Sequence, residues 1–205
     1  MARRLDPKRL LPLALMPLLF ATQQALEGFV WLLLDSPGLA PVLPVVSLAY
    51  LGFAFALWPV WIPWCALRLA TGHLAAWKRR LFRTLWGLGA LLGAVLWIPL
   101  LFDPGLINPI VRRGSIDYQV TAFWPHLGGR HLAVTLIYAL IICLPLLLHP
   151  FRRLRWLGVA LAFAFAVVQL AFLHAFSSVW CYFSALISVL LIWIIQGASP
   201  FSAWP

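Results

Sequence analysis

Apolar runs of membrane-crossing length recur six times in this chain, and that recurrence restricts its fold more than any other feature. A bilayer core of about 30 Å takes roughly 20 helical residues to cross. Inside it every backbone N–H and C=O must be paired within the protein, which admits only helices and closed barrels. Uninterrupted apolar runs select helices. The predicted spans are 10–34, 42–67, 84–102, 131–148, 156–176 and 178–196, an all-α polytopic transmembrane helix bundle forming a single integral membrane domain over residues 1–205. With 64% of its residues hydrophobic and 10% charged, the chain lacks the polar surface of a soluble domain.

A net charge of +10 would suit nucleic acid in a soluble protein, but here placement explains it. Four basic residues precede the first span, five lie between Arg68 and Arg83, and three are Arg152, Arg153 and Arg155. Only Arg112, Arg113 and Arg130 fall at the other junctions. The positive-inside rule therefore puts both termini in the cytoplasm and makes 103–130 a long external loop. No nucleic-acid partner is implied, and the partner that such clusters fit is the bilayer, with anionic lipid headgroups at the cytoplasmic face. The apolar run from Leu10 continues past Glu27 to Leu34, too long for a signal-peptide core, so it reads as a retained helix. Cys65, Cys143 and Cys181 sit in apolar segments without metal-type spacing and read as small buried residues.

Within the spans, Pro17 predicts a kink in the first helix. Pro59 and Pro63 leave carbonyls that need neighbours or water, and the tryptophans around them read as an interfacial belt above Arg68. Gly52 with Ala56, Gly89 with Gly93, and Gly158 with Ala162 and Ala166 are small-residue stripes for close helix packing; the Gly89/Gly93 face serves this bundle or a homo-oligomer. In the external loop, Ile116, Tyr118 and Val120 alternate with Asp117, Gln119 and Thr121, which predicts an extended piece over the bundle mouth.

The exception to this apolar plan is Glu27, the one acidic residue deep inside a span. A charge at the centre of a bilayer costs about 2.5–3.5 kcal/mol on insertion scales, so it marks a site or has a partner. Gln24, Glu27 and Trp31 share a helix face, with Gln23 one turn below. Seven residues from the helix end, Glu27 lies about 10 Å beneath the external interface. Gln169 and Ser184 are predicted at similar depth, with His174, Cys181 and Tyr118 nearer the mouth.

Three functions fit this pattern. The first is an outer-half cavity centred on Glu27 that binds or translocates a small polar or cationic species, lined by Gln23, Gln24, Trp31, Gln169, His174, Cys181, Ser184 and Tyr118. The second is a structural membrane protein in which a neutral Glu27 hydrogen-bonds its neighbours as packing glue. The third is a membrane-embedded hydrolase whose metal is held by His126, His131 and His174 with Glu27 or Asp117. No phosphate-binding glycine loop or nucleophile elbow is present, and the pattern identifies no cofactor and no catalytic residue.

Residues 11–31 (LPLALMPLLFATQQALEGFVW) and 178–188 (SVWCYFSALIS) resemble an uncharacterised family of bacterial multi-pass membrane proteins. Trp58-Pro59 with Pro63, Ile116-x-Tyr118 with His126, and Cys143-Leu144-Pro145 are similar to the same family. The resemblance implies a multi-pass helical architecture. It also implies a short Cys-Phe-Ser-Ala-Thr-type segment and one further helix, both of which this sequence lacks. The family brings no established activity with it.

Overall fold

A computed structural model describes residues 7–70, 74–120, 131–171 and 176–196. Helices dominate, as expected. The first run is α1 (Pro7–Ala14) and α2 (Met16–Leu34), separated at Leu15. The break comes two residues ahead of Pro17, where the chain loses a backbone donor, while the Leu15 N–H to Leu11 and Leu19 N–H to Leu15 bonds (both 3.0 Å) keep the two pieces in line.

The second run is continuous from Pro37 to Leu69 but changes pitch three times. A 3₁₀ turn (Pro37–Val42) leads into α3 (Leu43–Leu51), a π-helical segment (Gly52–Leu57) and α4 (Trp58–Leu69). The π register is set by the Trp58 N–H, which bonds the Phe53 carbonyl five residues back. In that register Pro59 would serve the Ala54 carbonyl and cannot, having no N–H. The Tyr138 hydroxyl supplies the donor instead, at 2.6 Å.

Helix α5 (Ala76–Phe102) starts eight residues earlier than the predicted span. The basic segment 78–83, expected as part of a loop, is helical: lysine and arginine are good helix formers, and their long side chains reach water from a helix end. Helix α7 (Arg152–Ala171) likewise begins at its arginines, and α6 (His131–Leu147) and α8 (Phe176–Gln196) complete the bundle. By length and composition four helices can cross a membrane, Lys8–Leu34, Gly38–Leu69, Ala76–Phe102 and Arg152–Leu170; Leu132–Leu147 is a shorter apolar helix. Leu91, Phe163, Leu170 and Val189 stand exposed on the outside, so apolar surface faces outward as well as into the core.

The small-residue stripes pack inside the chain. A Cβ at Gly89 would collide with the Pro59 carbonyl oxygen, and one at Gly93 would lie 3.0 Å from the Phe55 carbonyl oxygen. Pro63 has no N–H to offer Pro59, so α5 brings glycine against a carbonyl that its own helix leaves over. Both glycines are buried against the helical run that faces them. Gly158 meets Leu146 and Leu147 of α6 in the same way, whereas Ala166 is exposed.

The segment after α5 folds further than one extended piece. Strands β1 (Ile107–Arg112) and β2 (Ser115–Val120) form an antiparallel hairpin with Ile107 opposite Val120 and Arg112 opposite Ser115. Arg113 (φ 50°) and Gly114 (φ 76°) make its two-residue turn, with the paired positive φ values of type I′. The alternation read from the sequence is real: Ile116 and Val120 are buried, Gln119 is exposed. β1 packs on α3 and β2 on α8.

The opposite end is basic. His149, in the turn between α6 and α7, reaches the Ala66 carbonyl of α4 at 3.2 Å, and Lys78 of α5 donates to the Leu148 carbonyl at 3.1 Å. Arg153 donates to the Trp193 carbonyl of α8 at 3.2 Å. These bonds gather Arg68, residues 78–83 and residues 152–155 at one end of the bundle.

Candidate functional site

The polar face of α2 points into the bundle. Gln23 is fully buried and Glu27, one turn nearer the hairpin, is 6% exposed. Gln24 and Trp31 are half-buried at its edge. The Gln24 amide donates to Glu27 Oε2 at 3.3 Å, a contact within a single helix.

Gln23 looks across to α4. Its Oε1 accepts from the Trp58 indole N–H at 2.7 Å, while Phe20, three residues earlier, stacks on the same indole with ring centroids 4.0 Å apart. Trp58 is thus clamped on one face and at its polar edge by the same helix. It is 1% exposed, which corrects its expected place in an interfacial belt. The π segment explains the difference: each residue inserted into a turn rotates the remainder of the helix by roughly 100° about the axis. Trp61 and Trp64 stay half-buried nearer the basic end, and Trp61 donates to the Pro12 carbonyl at 3.2 Å.

α2 packs chiefly along α3 and α8, not α7. On α3, Ser47 is fully buried with its hydroxyl unpartnered among the described residues, and Tyr50 stacks on Tyr118 of β2 at 4.7 Å and 11°. Tyr118 therefore fastens the hairpin to α3. Gln169 sits on α7, whose main neighbours are α6 and α8; its Oε1 is buried and unpartnered among the described residues. On α8, Ser188 is in the same condition.

His126 and His174 lie outside the described residues. His131, Cys181 and Ser184 lie on α6 and α8, but their side chains fall outside the described residues. Of the expected metal set, only Glu27 and Asp117 have described side chains, and Asp117 pairs with Arg112 at 3.5 Å. Among the described residues no three His, Cys, Asp or Glu side chains converge.

Sequence reasoning missed Trp58, Tyr138 and His149. The unpaired carbonyl that Pro59 must create is a signal for a donor such as Tyr138, though not for which residue supplies it. Nothing local marks His149, which is 1% exposed. Its Nδ1 accepts from the Phe151 N–H at 3.1 Å, so the neutral ring carries its proton on Nε2 and donates it to Ala66. Burial pushes its pKa down to about 4, opposed by the bond to Ala66 and assisted by the Lys78 charge.

Compared with models of known protein families, with curated proteins and with solved structures, the chain matches none.

Proposed function

We propose that this chain spans a bacterial inner membrane six times with both termini cytoplasmic, in the manner of the multi-pass family its motifs resemble. In this reading it binds or passes a small polar or cationic species at a site centred on Glu27, in the half of the bundle nearer the hairpin. One observation carries it. Glu27 is an acidic side chain 6% exposed inside the bundle, one turn from Gln23, whose bond to Trp58 already joins α2 to α4. A buried carboxyl group is a costly substitute for an apolar side chain unless a ligand or a proton uses it.

A second reading takes support from the same bond. The Gln23–Trp58 pair is polar glue between helices, and Glu27 one turn away can extend that glue. Glu27→Gln separates the two, since it keeps the shape and removes the acid. Wild type and variant are reconstituted in vesicles, and uptake of protons, sodium, potassium and choline is followed beside thermal unfolding. Uptake above empty vesicles that disappears in a normally stable variant supports the site. Wild-type uptake no greater than that of empty vesicles, or equal in the two proteins, sinks it.

A further inference from the structure

We propose that the basic end of the bundle is a binding surface for anionic phospholipid headgroups, with exposed arginines at the level of the lipid phosphates. It rests on the bundle lying in a bilayer and not on any role of Glu27.

Charge at alternate junctions is enough to orient a membrane protein. The structure adds how the charge is arranged. The bonds from His149, Lys78 and Arg153 bring five helix ends together, those of α4, α5, α6, α7 and α8, and among the described residues no carboxylate accompanies them. The other end is mixed: Asp35, Asp103 and Asp117 stand with Arg112 and Arg113, and Arg112 is paired with Asp117.

Each basic cluster is also seated on a tryptophan. Arg68 lies over Trp64 (5.4 Å to the ring centroid), Lys78 over Trp77 (5.4 Å) and Arg153 over Trp193 (4.6 Å). Trp77 and Trp193 are 57% and 48% exposed, so these rings lie on the outer surface. Tryptophan settles at the headgroup level of a bilayer, and a cation held over its face is kept at that level instead of extending into water.

The cations then divide by task. Lys78 and Arg153 are spent on backbone carbonyls. Arg79, Arg80, Arg83, Arg152 and Arg155 are exposed and unpaired with any carboxylate among the described residues. The guanidinium fork fits phosphate oxygens two at a time, which suits a phosphodiester headgroup. Each such residue near an anionic surface changes affinity about five-fold.

The full chain, purified in neutral detergent, is incubated with dioleoyl phosphatidylglycerol or dioleoyl phosphatidylcholine, and retained lipid is counted by native mass spectrometry. Phosphatidylglycerol is expected to be retained preferentially, less so as salt is raised. Arg79→Gln/Arg80→Gln/Arg155→Gln should weaken that retention about a hundred-fold. The lysine triple at the same positions should keep most of it, and Arg112→Gln/Arg113→Gln at the hairpin end should leave it unchanged. Equal retention of the two lipids overturns the proposal, as does undiminished retention in the glutamine triple or an equal loss in the hairpin-end variant. Displacement of the lipid by millimolar glycerol phosphate would assign the surface to free phosphate and overturn the lipid reading.

Discussion

The Trp58 indole N–H and the Gln23 side-chain oxygen, 35 positions apart in sequence, meet at 2.7 Å in the interior of the bundle. Water has no easy access there, since Gln23 and Trp58 are 0% and 1% exposed. Removing Gln23 leaves the indole N–H buried and unsatisfied, at a cost of about 1–3 kcal/mol. Gln23→Leu and Trp58→Phe are each expected to destabilise the fold, and the double variant to recover part of the loss. A coupling of about 0.6–1.7 kcal/mol from thermal unfolding of all four proteins is expected, and strict additivity would show that the bond contributes nothing.

The approach of α5 to α4 depends on the absence of a side chain at Gly89. Gly89→Ala drives a methyl group into the Pro59 carbonyl, so the backbones must separate, a loss of about 1–3 kcal/mol. Gly87→Ala is the control: nothing lies within 4 Å of a Cβ there, and alanine is the better helix former. Equal melting temperatures for the two variants would refute the close contact.

Tyr138 stands in for an N–H that Pro59 cannot provide. Tyr138→Phe should cost about 1–3 kcal/mol by orphaning the Ala54 carbonyl. Pro59→Ala restores a backbone donor, so the same tyrosine change is expected to cost less in that background. A cost that is the same in both backgrounds would mean that the hydroxyl is not replacing the missing donor.

His149 predicts a pH dependence of definite sign. Its pKa is about 4 in the fold against an ordinary 6.5, so between those values the unfolded chain binds the proton first. Stability is full above pH 6.5, is lost as pH falls through this window, and levels off below about pH 4, a total on the order of 3 kcal/mol. His149→Gln should flatten this part of a stability curve measured by urea unfolding between pH 7 and 4. An unchanged slope would assign the dependence to another group.

Much of this protein can be read from its residues one segment at a time. The apolar runs give the helices, the proline at position 17 gives a disturbance near Leu15, and the turn residues 35–38 separate the first two helical runs. The alternation over 115–120 gives β2 but not β1, because Pro109 and the asparagine beside it obscure its partner strand. At the candidate site, Glu27 and Gln23 could be identified as buried polar residues from position alone. Their neighbours could not. The expected company of Gln169 presumed that α7 lies beside α2, whereas α3, α4 and α8 hold that place.

The reason lies in the range of the forces. In a membrane protein each helix must satisfy its own backbone and match its own length to the hydrocarbon, so class and segmentation are local properties and the sequence alone determines them. Which polar groups meet is decided by the rotation of each helix about its axis. Here that rotation depends on a π segment, two prolines without N–H groups and two glycines on a facing helix, each of which acts only through its neighbour. The tertiary structure alone sets Trp58 on Gln23, Tyr138 on Ala54 and His149 on Ala66.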